Sequence, residues 1–175
     1  MKLNDVLPDF NLKGTDGKFY SVNEFDKFKC LVVIVTCNHC PYARAYISRI
    51  RDLGEKIATK SVKIIAVNPN DAARYPQDSF ENMIPMAGSS GLNCLYLHDE
   101  KQEFVKALEA SRTPEVFVFN NDRKLVYTGA FDDNWEQPAK VTRSFVEEAI
   151  QAALNNAKIS TSITQAVGCS VKWKI

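Results

Sequence analysis

The stretch TCNHCPY, residues 36–42, sets Cys37 and Cys40 two residues apart, with His39 between them and Pro41 directly after. Two thiols at that spacing can exchange electrons with a disulfide, reduce a peroxide or ligate a metal. The apolar run CLVVIVT ends directly before the first of them and an amphipathic run starts after the second, so the pair falls where a strand becomes a helix. A helix start presents unpaired N–H groups and the positive end of the macrodipole, and a thiolate is an anion that both stabilise. A free cysteine, with a pKa of ~8.5, is only about 3% ionised at pH 7, whereas C-x-x-C cysteines at helix starts fall to ~3.5–7.5.

Lower basicity also weakens the nucleophile, so a two-unit fall raises the net rate only about threefold. The larger consequence is thermodynamic: a stabilised thiolate favours the dithiol and makes the bridge more oxidising. A protonated His39 acts in the same direction. Proline prefers the first helical position, which would make Cys40 the cap; the sequence leaves open which thiol occupies it.

The elements that must position this pair can be read on either side of it. FNLKGTDGKFYSV is an expected hairpin about Asp16-Gly17. CLVVIVT has the length and β-branched content of a strand covered on both faces, hence of a central one. Tyr46, Ile50, Leu53 and Ile57 then recur at helical spacing, and VKIIAVNPN is a second buried strand, made parallel to the first by the intervening helix. After an excursion over 71–92, with a weak helical piece near 79–87, come a short strand CLYLHDE and a helix carrying Phe104, Val105 and Leu108. EVFVFN and KLVYTG form an expected antiparallel pair, and a closing helix has a stripe of Val141, Phe145, Ile150 and Leu154. The whole is one α/β domain of 175 residues, with an N-terminal hairpin extension over 1–29 and an irregular tail over 157–175.

Composition narrows the function classes. Twenty-two basic against 21 acidic residues give a net charge of +1 with no basic cluster, so a nucleic-acid partner is not expected. Asp5 and Pro8 interrupt the N-terminus where a secretory signal needs an apolar segment, and no uncharged run approaches membrane-spanning length. A cytoplasmic location without a membrane partner is the expectation. Five cysteines, an odd number, argue against a disulfide framework in such a compartment.

PDFNLKGTDGKFYSVNEF, TCNHCPY, RTPEVFVFN, KLVYTGAFDD and AVGCSVKWK together resemble the thioredoxin-like superfamily. They are most similar to its peroxiredoxin-like redoxins of the alkyl-hydroperoxide-reductase and thiol-specific-antioxidant group, in a subgroup with C-N-H-C-P. The resemblance implies a thioredoxin-like fold with a central mixed sheet flanked by helices. It implies that Cys37 is the exposed attacking thiol and Cys40 the resolving one. It further implies that Thr113-Pro114 is a cis-proline loop facing the pair, whose backbone pairs with a substrate chain. Thioredoxins proper bury a carboxylate before the motif; KCLVVIVTC has none, and Glu115 is the nearest acidic candidate.

The expected activity is thiol–disulfide exchange on a protein or small-molecule disulfide, without an organic cofactor and with electrons from a thioredoxin- or glutathione-type reductant. Two alternatives stand beside it. Peroxide reduction uses P-x-x-x-T/S-x-x-C; aligning its cysteine with Cys40 puts Val33 and Cys37 where proline and the hydroxyl belong, leaving Arg112 as a loose match for the later arginine. A non-catalytic redox-sensing or metal-binding role would use Cys37, His39 and Cys40, but zinc wants a fourth ligand and no second close pair supplies it. Cys30 and Cys94 read as small buried hydrophobes. Cys169 stands in a polar tail and is either a third redox thiol or a structural one. His98 reads as a strand-end surface residue, and FDDNWEQP as a turn or a border of the active surface.

Overall fold

A computed structural model describes residues 1–175. The strands are β1 (Asn11–Gly14), β2 (Phe19–Ser21), β3 (Cys30–Val35), β4 (Val62–Asn68), β5 (Leu95–His98), β6 (Arg112–Thr113), β7 (Glu115–Phe119), β8 (Leu125–Gly129) and β9 (Cys169–Ser170). The helices are α1 (Pro41–Ala45), α2 (Ile47–Lys56), α3 (Phe80–Ala87), α4 (Glu103–Ala107) and α5 (Phe145–Asn155). Seven strands form one mixed sheet in the order β2-β1-β5-β4-β3-β7-β8, and β6 pairs with β9 apart from it. This is a thioredoxin-like α/β fold.

The β-branched run of β3 is central, as its composition requires: it pairs parallel with β4 and antiparallel with β7, and all six of its residues are buried. Because side chains alternate across a strand, the run feeds two cores. Cys30, Val32 and Ile34 meet Ile50 and Leu53 of α2 and Val146 and Ile150 of α5. Leu31, Val33 and Val35 meet Phe10, Phe104 and Leu108 on the other face. The N-terminal hairpin forms about Gly17, whose φ of 84° a tight turn demands, and through β1 it extends the sheet antiparallel to β5.

Two helices differ from their sequence expectation. The run after the cysteines divides at Tyr46, whose N–H bonds Ala43 O in a tightened turn while its buried hydroxyl donates to Asp132. The closing helix starts at Phe145 because the Asp133 carboxylate takes the Thr142 and Arg143 N–H groups, leaving Val141 in the preceding turn. Its buried stripe is therefore Val146, Ala149, Ile150 and Ala153, with Phe145 and Leu154 only partly covered. No helix is long and apolar enough to cross a membrane.

Candidate active site

The C-terminal end of β3 delivers Thr36 and Cys37 into a loop, and Cys40 becomes the N-cap of α1 with Pro41 at its first position. That settles the capping question for Cys40. The Thr113-Pro114 peptide bond is cis, and Thr113 faces both sulfurs: Cys37 Sγ lies 3.4 Å from Thr113 Oγ1, and Cys40 Sγ 3.3 Å from Thr113 O. Cys37, Cys40 and Ala43 form a small buried cluster against which Tyr42 and Cys169 pack.

Exposure corrects one expectation. Cys37 is only 3% accessible and Cys40 fully buried, because Thr113 and the tail cover them; the exposed attacking thiol read from the resemblance is not exposed in this conformation. The two thiols also differ in charge. Cys40 is pulled down to about 4, chiefly by the hydrogen bond from Cys37 and further by Cys169 and the Ala43 N–H. Cys37 is driven up by donating that bond, by burial and by the nearby Asp78 carboxylate. Of the two thiols, Cys40 is thus the one shifted towards the thiolate and Cys37 the one shifted towards the thiol.

Glu115 is not at the dithiol. Its carboxylate accepts the Ser111 and Arg112 N–H groups at 2.8 and 3.1 Å and thereby braces the turn before the cis-proline from outside. The buried carboxylate of the site is Asp78, which sequence reasoning missed. It lies in a single 3-10 turn, Pro76–Asp78, within the excursion and is wholly inaccessible. Asp78 Oδ1 accepts from Asn38 N at 2.7 Å and His39 N at 3.3 Å, while Oδ2 pairs with His39 Nδ1 at 2.6 Å and accepts from Asn70 Nδ2 at 2.7 Å. It therefore fixes the loop between the cysteines. The only sequence signal was a Pro-Gln-Asp-Ser turn, which marks a bend and says nothing of what it faces.

Among groups that could hold a metal, Cys37, His39 and Asp78 bring ligand atoms within 4.8 Å of one another, so Asp78 replaces Cys40 in the set read from sequence. His39 is occupied with Asp78 on one edge and stacks on Tyr75 at 5.5 Å. Arg112 is exposed, and its strand turns away from the sheet to pair with β9. Asp132 is buried against Arg49 and Tyr46, whereas Trp135 lies on Tyr42 with ring centroids 4.3 Å apart, so FDDNWEQP is half structural brace and half border of the site. Cys30 is fully buried, Cys94 only partly so, and His98 is a half-buried strand end near Phe80. None of the cysteines lines the cleft of about 700 Å³ between the hairpin and α3.

A C-x-x-C pair at the end of the central strand faces a cis-proline loop within a thioredoxin-like fold. The chain belongs to the Redoxin family, whose model matches residues 2–150, and is an oxidoreductase by that membership. It is similar over 99% of its length to an uncharacterized conserved protein from Geobacillus kaustophilus, at 33% identity, TM-score 0.91 and 93% of that chain. A hypothetical protein from Sinorhizobium meliloti 1021 gives 27% identity and TM-score 0.91, over 99% of this chain and 96% of the other. A putative thiol:disulfide interchange protein from Chlorobium tepidum shares the fold at 19% identity and TM-score 0.67, over 88% and 99% of the two chains. No curated protein matches.

Proposed function

We propose that the protein is a thiol–disulfide oxidoreductase working through Cys37 and Cys40. The observation that carries this reading is the meeting of both sulfurs under Thr113, where the Cys40 thiol is pulled down. Cys37 retains the little accessibility the pair has, and it is the sulfur that reaches an incoming disulfide. Its proton passes to Cys40 across their contact, and the Cys37 thiolate forms a mixed disulfide as the first product thiolate leaves. Cys40 then attacks Cys37 Sγ, closes the intramolecular bridge and releases the second product, which carries away the Cys40 proton. The dithiol is oxidised by two electrons and the target is reduced by two. Asp78, His39 and Thr113 are positioning residues: they hold the loop and the two sulfurs, with Pro114 fixing the Thr113 carbonyl.

Reduction of insulin by the dithiothreitol-charged protein, compared with stopped-flow oxidation by hydrogen peroxide, tests the reading. Insulin turnover that vanishes in both Cys37→Ser and Cys40→Ser supports it. A fast peroxide reaction beside negligible insulin turnover overturns it in favour of a thiol peroxidase. The geometry gives the first outcome more support, since Arg49 is committed to Asp132 and Arg112 is exposed beyond the sulfurs.

A further inference from the structure

The backbone edge at Arg112–Thr113, where a substrate chain would be expected to pair, is occupied by the protein's own tail. Arg112 is opposite Ser170 and Thr113 opposite Cys169 in antiparallel register, and Val171 N donates to Ser111 O at 3.1 Å. Gly168 makes the approach possible: a Cβ there would sit 2.3 Å from Thr113 O, so no other residue lets the strand lie this close. The tail is anchored beyond the cysteine as well. Lys172 N donates to Asn70 Oδ1 at 2.9 Å, Lys172 O accepts from Asp71 N and from the buried Gln102 side chain, and Val171 is 5% accessible. The anchoring reaches the dithiol loop, because the same Asn70 holds Asp78.

The consequence is that Cys169 is fixed against the dithiol, next to the fully buried Cys40, while itself remaining partly exposed. A bridge between Cys37 and Cys40 would offer a bimolecular reductant only the 3% accessible Cys37 sulfur, whereas Cys169 is the more exposed thiol. We propose that Cys169 is a third redox thiol that carries electrons from an external thiol to the Cys37–Cys40 bridge; this rests on the exchange reading above. In the relay step the Cys169 thiolate attacks Cys40 Sγ, the Cys40–Cys169 bond forms, the Cys37–Cys40 bond breaks, and Cys37 leaves as thiolate. The oxidation level does not change. An external dithiol then attacks the exposed Cys169 Sγ, releases the Cys40 thiolate and resolves its own mixed disulfide, becoming a disulfide as the protein recovers its dithiol.

Electrostatics time the relay. Cys169 is pushed up to about 11 by burial first and then by the neighbouring Cys40 anion, while Lys172 and Arg112 pull it down. When Cys40 enters a bridge its charge disappears, so the repulsion is lifted just when Cys169 has a disulfide to attack.

The test uses the full chain oxidised with oxidised glutathione, quenched in acid, alkylated and mapped without reduction. Trypsin places Cys37 and Cys40 on peptide 30–44 and Cys169 on 159–172, and fragmentation locates the linked cysteine. Wild type is expected to show the Cys37–Cys40 bridge with a minor Cys40–Cys169 species, and Cys37→Ser to accumulate the Cys40–Cys169 bridge. Re-reduction of the Cys37–Cys40 bridge by dithiothreitol is expected to slow by roughly tenfold or more in Cys169→Ser, because an intramolecular step has been lost. If Cys37→Ser forms no bridge to Cys169, or if Cys169→Ser is re-reduced at the wild-type rate, the relay is wrong while the dithiol reading stands. If wild type forms no Cys37–Cys40 bridge at all, both fall.

Discussion

Two carboxylates, Asp78 and Asp132, grip the segment that carries the dithiol, and both are nearly inaccessible, at 0% and 4%. Asp132 holds it from the helix side: it accepts from Arg49 Nη1 at 2.6 Å and from Tyr46 OH at 3.0 Å. Arg49 in turn donates to the Asn134 and Trp135 carbonyls at 2.8 and 2.7 Å, so that charge is matched by a fixed cation. Asp78 holds the loop side with two backbone N–H groups, an asparagine amide and the His39 ring, and no arginine or lysine bonds it. Same residue type, same burial, different remainder: one charge is neutralised within its own pair, the other projects onto Cys37. A carboxylate neutralised by a fixed cation braces the fold, whereas one without a fixed cation also shifts the sulfur beside it.

The largest expected effect comes from breaking the braced side. Asp132→Asn leaves the Arg49 guanidinium buried without its counter-charge, with Nε already unpartnered, and is expected to cost about 3 kcal/mol. Thermal unfolding of a chain this size should then fall by roughly 6–12 °C. The alkylation rate of the reduced dithiol should stay within about twofold of wild type, since Asp132 is not among the groups that shift either sulfur. Calorimetry and iodoacetamide kinetics check the two halves. A stable variant with altered thiol reactivity would invert the comparison.

That contrast also marks how far the sequence could be read. The central strand, the C-x-x-C junction and the Thr-Pro loop are legible because each depends on local pattern: β-branched composition, cysteine spacing, and a proline before an apolar run. The extended sheet was legible through Asp16-Gly17, and the dithiol's partners were not. Asp78 is 38 residues from Cys40 in an excursion without strong periodicity, and a buried aspartate in a turn looks like any solvated one. Glu115 was preferred for being adjacent in sequence to Pro114, yet the turn's own N–H groups claim it. Cys169 stood out only as a cysteine in a polar tail; its pairing with Thr113 is a contact over more than fifty residues that spacing does not encode. The split of the helix at Tyr46 belongs to the same class, since it coincides with a hydroxyl reaching Asp132.

The next effect sharpens the charge assignment on the loop side. With Cys40 pulled down to about 4 and Cys37 held protonated, reduction of the bridge takes up two electrons and only one proton over the middle pH range. The reduction potential should therefore fall by about 30 mV per pH unit between roughly pH 5 and 8, against about 59 mV for two ordinary thiols. The same depression makes the reduced form gain stability as pH rises above about 4, towards the ordinary thiol range, and lose it as pH falls through that value. A glutathione titration at several pH values decides it; the steeper slope would return the charge to neither sulfur.

Asp78→Asn keeps the shape and the acceptor for the Asn38 and His39 N–H groups while removing the charge that raises Cys37. For each unit that Cys37 falls, its thiolate becomes about tenfold more abundant and some threefold less nucleophilic, for a net gain of roughly three- to fourfold in alkylation rate. A slower variant would make Asp78 a base in the reaction, and the description of it as a positioning group would have to go.

The smallest effect is expected at Glu115. Its carboxylate braces the Ser111–Arg112 turn through two backbone N–H groups at the surface, and Glu115→Gln retains an acceptor oxygen for both. A charged acceptor on an N–H is stronger than a neutral one, so the variant should lose up to about 1 kcal/mol of stability by denaturant unfolding. Because the carboxylate bonds the Ser111 and Arg112 N–H groups and neither sulfur, the insulin-reduction rate should remain within about twofold of wild type. A large fall in rate without a matching loss of stability would place Glu115 in the proton path after all, and would move the site's working carboxylate from the excursion back to the cis-proline loop.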